Sequence, residues 1–158
     1  MTTPQSTPRE IAIGLLARRE HSRAELAQRL GRHGFEASAI EACLDALIEQ
    51  DLQSDQRFAE SFVRSRLLRG QGTIRIAGEL RQRGVDNAVI KAALSDVEAA
   101  EQVDWFELAH QTLARRFTSP GADKKERARR ERFLANRGFD FDQIRYALEC
   151  LKAADEAR

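Results

Sequence analysis

The densest chemistry in this chain is cationic. Lys124, Lys125, Arg127, Arg129, Arg130 and Arg132 fall within the nine residues 124–132, interrupted only by Glu126, Ala128 and Glu131. A guanidinium is a permanently charged planar fork and an ammonium a compact point charge, so a cluster of both suits the recognition of phosphate or carboxylate groups. A second set lies upstream: Arg57, Arg64, Arg69, Arg75, Arg81 and Arg83. These twelve residues are the candidate binding set, chosen by charge.

Covalent, cofactor and metal chemistry have no comparable support. The Gly70-Gln71-Gly72 segment lacks the Gly-Lys-Ser/Thr continuation that lets a loop hold phosphates, and the pattern around it reads as helix rather than strand. His21, His33 and His110 have no ligand spacing with one another or with Cys43 and Cys150, and the two cysteines form no CxxC pair. Nothing resembles a nucleophile turn or a paired-carboxylate loop. The expectation is a non-enzyme with no catalytic residue, no cofactor and no metal.

The elements that must position the cations are set by a repeat. Leu30, Gly34, Phe35, Ile40 and Leu44 recur as Leu80, Gly84, Val85, Ile90 and Leu94, and again as Leu134, Gly138, Phe139, Ile144 and Leu148, with periods of 50 and 54 residues. Leu followed four residues later by Gly reads as the last apolar contact of a helix and the residue just past its end, where positive φ is easiest without a Cβ. The apolar residue after each Gly suits the contact that closes such a cap, and Ile and Leu four apart mark one face of the next helix. A third apolar-periodic segment precedes each pair: Ile11, Leu15 and Leu16; Phe58, Phe62, Val63 and Leu67; Trp105, Phe106, Leu108 and Leu113.

The fold class expected is therefore all-α, three tandem three-helix repeats forming an elongated, curved array. The nine helices are predicted at 8–19, 22–33, 37–50, 55–69, 73–83, 86–96, 100–117, 123–137 and 140–153. Thr7 with Glu10 and Ser22 with Glu25 read as capping boxes, and Asp86 and Asp140 as N-caps. Glu36 is a poorer cap, which leaves Ser38 as an alternative start. Residues 95–104 read as an acidic join and 118–122 as a loop. The domain division predicted is a flexible tail at 1–7, repeats at 8–53, 54–97 and 98–153, and a C-terminal tail at 154–158.

Composition agrees with a soluble, cytoplasmic protein: 42% of residues are hydrophobic and 32% charged, no apolar run approaches the roughly 20 residues of a membrane span, and the start MTTPQSTPRE is polar. The formal charge of +1 hides a pattern. Residues 9–34, 57–83 and 108–137 carry +3, +5 and +6, whereas 35–56, 84–107 and 138–158 carry −6, −5 and −2. Neutralisation between packed neighbours accounts for part of this alternation. The same order of sign in three repeats also fits a basic and an acidic stripe, the basic one suited to phosphate backbones.

Two arginines fall on apolar arcs. Arg66 lies among Phe58, Phe62, Val63 and Leu67, and is expected to be a partly buried structural residue paired with Asp51 or Asp55, leaving Arg57 and Arg64 to face solvent. Arg130 stands where the earlier repeats have Leu26 and Ile76. It and its neighbours either pair with Asp140, Asp142 or the acidic third helix, or contact an external anion.

The three Leu-x3-Gly-Phe/Val-x4-Ile-x3-Leu units, the DQRFAESFVRSR segment followed by RQRGV, and RERFLANRGF together resemble the RecX family of bacterial recombination regulators, over roughly residues 9–152. The resemblance implies a modulator of the RecA recombinase, usually an inhibitor. Such a protein binds RecA and its nucleoprotein filament in the filament groove, limits filament growth, ATP hydrolysis and strand exchange, and binds DNA by itself. The partners expected are thus RecA, its filament and DNA, with no membrane and a monomeric chain. Two other readings stay open: a general helix-turn-helix DNA-binding protein, and a helical scaffold for protein partners alone. The acidic third helices, beginning FEASAIEA, VDNAVIKA and FDFDQIRY, argue against use as recognition helices.

Overall fold

The structure, a computed structural model, describes residues 5–158; the first four residues of the expected N-terminal tail lie outside the described residues. Nine helices and no strand are found among them: α1 (Pro8–Leu16), α2 (Arg23–Arg32), α3 (Ala37–Glu49), α4 (Asp55–Leu67), α5 (Thr73–Gln82), α6 (Asn87–Glu101), α7 (Trp105–Ala114), α8 (Lys124–Asn136) and α9 (Phe141–Glu156).

The start signals mark the helix ends, although Thr7 and Glu10 form a one-sided cap rather than the expected capping box. Thr7 accepts a hydrogen bond from the Glu10 amide, with Pro8 opening the helix, and Ser22 and Glu25 close a full capping box on α2. Asp140 does the same with Gln143 on α9, while Asp104 and Asp123 cap α7 and α8. Glu36 stands at the N-cap of α3 without a side-chain bond, and the helix begins at Ala37.

The glycine stops are also in place. Gly34, Gly84 and Gly138 take φ of 88°, 79° and 97°. Behind two of them the amide of the following residue reaches back five positions, Val85 to the Leu80 carbonyl and Phe139 to the Leu134 carbonyl, at 3.1 and 3.2 Å. Those bonds satisfy carbonyls that the helix end would otherwise leave without a partner.

The expected join at 95–104 is corrected. α6 continues to Glu101, because Val97 extends the face of Ala93 and is fully buried. The helix stops at Gln102, a non-glycine residue at φ 52°, and the Val103 amide bonds the Glu98 carbonyl at 3.0 Å. α3 ends the same way at Asp51, φ 59°. Consequently α7 starts at Trp105 rather than 100, and α9 runs three residues past its predicted end.

The described residues divide into two compact units. The first comprises residues up to Ser61 together with Leu80–Ala93, and the second Phe62–Glu79 together with Leu94–Arg158, so α4, α5 and α6 contribute residues to both. The first is built on Ala12, Leu26, Leu30, Ile40, Leu44 and Leu47, where α1, α2 and α3 meet. Ser22 Oγ donates to the Arg83 carbonyl at 2.7 Å, and the Asp55 carboxylate accepts from the Arg23 amide and from the buried Gln53 side chain. The second is built on Ala109, Leu113, Leu134, Phe139, Ile144, Ala147 and Leu151, with α7 packed along α9 and α8 touching both.

Candidate nucleic-acid and partner interface

Tertiary structure sorts the twelve candidate cations into two classes. Five are engaged internally. Arg57 Nε donates to Glu20 at 2.7 Å and its fork also reaches Asp51 at 3.5 Å; the Glu20 bond, against a smaller burial effect, pushes its pKa above the usual arginine value. Arg64 pairs with Glu101 at 3.1 Å, Arg75 with Glu79 at 2.9 Å and with the Asn136 carbonyl, and Arg83 with Glu25 at 3.9 Å. Arg130 donates to the Ser119 and Glu126 carbonyls and lies 4.4 Å over the Phe117 ring. Its partners are thus a loop carbonyl and an aromatic face, not Asp140 or Asp142, since the Ser119–Gly121 turn folds back toward α8.

The other seven present their charge outward. Arg69, Arg81, Lys124, Lys125, Arg127, Arg129 and Arg132 are exposed and make no ion pair among the described residues. Arg81 donates to Asn87 Oδ1 at 3.5 Å. Five of the seven are on α8, whose N-terminus is capped by Asp123 accepting from the Glu126 amide, while the Glu126 carboxylate accepts from the Ala122 amide. A helix with so few apolar residues is held through Leu134 and Phe133 near its end, which leaves its first turns to solvent.

Arg66 is the structural residue expected, with a different partner. Its side chain is 12% exposed, it stacks 4.2 Å over Phe62, and it meets Glu79 at 2.9 Å rather than Asp51 or Asp55. Glu79 accepts from both Arg66 and Arg75; burial raises its pKa, but the two guanidinium bonds outweigh that and leave it below the ordinary carboxylate value.

Charge-based selection missed three residues. Arg69, Arg115, Arg116 and Arg137 line one recess of about 260 Å³, whose remaining walls are Gly70, Thr112 and Phe133. The loop that the lone GxG forms explains how they are brought together. The Gly72 amide donates to the Arg137 carbonyl at 2.8 Å and the Ile74 amide to the Gly138 carbonyl at 3.1 Å, so two backbones lie in direct contact. A Cβ on Gly72 would sit 2.5 Å from the Gly138 oxygen, and one on Gly70, at φ 70°, 2.6 Å from Thr112 Oγ1. Gly72 is thus a spacer for backbone docking, and Gly70 leaves room for the Thr112 side chain. The signal available in sequence was the Arg115-Arg116 pair and the Arg before Gly138, but nothing local said they would converge.

The recess adjoins a ladder of cations and rings. Arg137 lies 5.0 Å over Phe133, Arg116 lies 5.3 Å over Phe133 and 5.8 Å over Phe117, and the two rings meet edge to face at 5.6 Å. Arg130 completes it on Phe117. Such contacts hold guanidinium planes in place while leaving their N–H groups able to bind anions. Among the described residues no group of three His, Cys, Asp or Glu side chains is gathered as a metal would require, and no helix is long and apolar enough to cross a membrane.

Comparison with known proteins matches the whole array. Three family models fit in order: RecX, first three-helix domain, at residues 9–47; RecX, second three-helix domain, at 54–94; and RecX, third three-helix domain, at 102–148. Regulatory protein RecX of Chromohalobacter salexigens is 55% identical over 148 residues, 94% of this chain and 95% of that one. The protein of the same name from Halorhodospira halophila is 48% identical, covering 94% and 90%. In fold, the crystal structure of RecX from Lactobacillus salivarius superposes with a TM-score of 0.75 at 22% identity, over 91% of this chain and 94% of that one. A crystal structure of regulatory protein RecX superposes at 0.76 and 20% identity, over 90% and 71%.

Proposed function

This chain belongs to the RecX family of regulatory proteins, and from that premise we propose that it regulates the RecA recombinase by binding the RecA–DNA filament and limiting filament growth, ATP hydrolysis and strand exchange. The observation that most supports a filament partner is the cationic run of α8 from Lys124 to Arg132. Lys124, Lys125, Arg127, Arg129 and Arg132 stand exposed without acidic partners among the described residues, in a chain whose formal charge is only +1.

Five cations concentrated on one helix of a nearly neutral protein favour docking in one orientation over general coating of nucleic acid. Repeats at 8–53, 54–97 and 98–153 would each offer a modest contact. Linking them raises the effective concentration of the second and third contacts once the first forms, so tight binding to a polymer needs no single strong site. Arg81 and Arg69 are the outward cations of the middle repeat on this reading. Arg57, Arg64, Arg75 and Arg83 act chiefly by holding their helices in place.

Co-sedimentation with RecA assembled on single-stranded DNA tests the reading. The wild-type chain is expected to pellet with the filament in a salt-sensitive manner. The triple variant Lys124→Glu, Lys125→Glu, Arg127→Glu is expected to bind more weakly and with a flatter salt dependence at unchanged helicity. Equal recovery of both proteins at every salt concentration would remove α8 from the interface.

A further inference from the structure

We propose that Arg69, Arg115, Arg116 and Arg137 form a clamp for the phosphodiester backbone of DNA. The proposal rests on the reading of the chain as a filament regulator, which brings DNA phosphates within reach. It assigns that contact to a recess outside the basic face of α8.

Three helix ends build the recess. Arg69 follows the end of α4, Arg115 and Arg116 follow α7, and Arg137 follows α8. Helix C-termini attract cations, and this is the structural role such arginines could fill alone. The balance leaves charge over. Three helix ends present roughly one and a half negative charges between them, against four guanidinium charges, and no carboxylate lines the recess.

The donors are also held in position. Arg137 is tied to the Arg69 carbonyl at 3.0 Å and laid on Phe133, and Arg116 is laid on Phe133 and Phe117. Ordering these side chains before an anion arrives removes part of the entropy lost on binding. Arg69 and Arg115 are exposed at the mouth and free to close on the ligand.

A phosphate backbone suits this site better than an acidic protein surface for two reasons. The only other polar side chain in the recess, Thr112, already donates its one hydroxyl proton to the Leu108 carbonyl at 2.7 Å, with the Gly70 carbonyl farther off at 3.4 Å, so charge and fork geometry are all that is offered. The cationic strip then continues along the ladder to Arg130, which matches anions repeated at short regular intervals along a strand. The Phe117 and Phe133 rings carry guanidiniums rather than open faces, so bases gain no stacking platform. Binding through the recess is therefore indifferent to base sequence.

The test uses the full chain and labelled oligonucleotides of different sequence, titrated over a series of salt concentrations. Arg69→Gln with Arg115→Gln, two exposed positions, should weaken DNA binding at least about tenfold at low salt. It should also make the slope of log affinity against log salt shallower by roughly 1.5, as expected for two lost phosphate contacts. Arg69→Lys with Arg115→Lys should keep most of the slope, and circular dichroism should show both variants folded.

Unchanged DNA affinity in the Gln variant, no DNA binding by the wild type, or strong sequence preference would each overturn the clamp. So would a Gln variant that keeps DNA affinity but loses affinity for DNA-free RecA, which would make the recess a site for acidic protein. A RecA ATPase assay run beside it separates the two claims. An ATPase response to wild type and Gln variant alike, with equal DNA affinity, removes the clamp and leaves the regulator. DNA binding through the recess with no ATPase response leaves the clamp and removes the regulator.

Discussion

Replacing Gly72 by Ala should destabilise the second compact unit by about 3–5 kcal/mol. The new Cβ would lie 2.5 Å from the Gly138 carbonyl oxygen, 2.6 Å from its carbon and 2.8 Å from Phe139 Cδ1. Two of these are backbone atoms, so no side chain can swing aside. Ordinary contact requires the strands of chain to part by roughly 1 Å, which carries the Gly72–Arg137 and Ile74–Gly138 bonds, now 2.8 and 3.1 Å, beyond useful hydrogen-bonding distance. Two such bonds are worth about 1 kcal/mol each, and overpacking adds about 1–3 kcal/mol. Urea unfolding followed by far-UV circular dichroism measures the loss, which corresponds to a fall in Tm of roughly 6–20 °C. Gly78→Ala is the internal control: it lies within α5 with nothing near its Cβ, and should stabilise by about 0.4–1 kcal/mol. A Gly72→Ala protein within about 0.5 kcal/mol of wild type would refute the backbone-docking account, and with it the explanation of how Arg69 and Arg137 are brought together.

Further outcomes are expected elsewhere. Arg66→Ala, which removes a half-buried partner of Glu79 and a cation from the Phe62 ring, should cost about 1–3 kcal/mol in the same unfolding assay while leaving DNA affinity unchanged. Burial works against ionisation of Glu25, but the Ser22 amide and Arg19 bonds prevail and depress its pKa. Its contribution is therefore complete above the unfolded value near pH 4.5 and is lost as pH falls through the lower folded value, so wild type and Glu25→Gln should differ at neutral pH and converge in strong acid. His21 is held neutral mainly by burial, its pKa pushed below 6.5, so the stability it confers should fade as pH drops below about 6.5 and a His21→Gln variant should flatten that limb. Asp140→Ala, which opens the capping box of α9, should cost about 1 kcal/mol by thermal melting.

Local chemistry made the fold legible. A helix stop depends on a few adjacent residues, so Leu134, Gly138 and Phe139 announce theirs without knowledge of anything distant, as Ser22 and Glu25 announce a start. The end of α6 was hidden because Gln102 adopts positive φ without being glycine, and because the acidic residues around Val97 read as a join. The cationic bias was plain in sequence, but its use was not. Whether an arginine is available depends on partners far along the chain: Glu20 for Arg57, Asn136 for Arg75. The same distance hid the recess, since Arg69 and Arg137 meet only because Gly72 lets two backbones touch.

The reading of this chain as a brake on the recombinase is tested most directly by the rate of ATP hydrolysis by RecA on single-stranded DNA as the chain is titrated in. The account predicts a rate that falls with added wild-type chain, and falls much less with the Lys124→Glu, Lys125→Glu, Arg127→Glu variant. A rate that stays constant at concentrations where the wild-type chain demonstrably occupies the filament would contradict it.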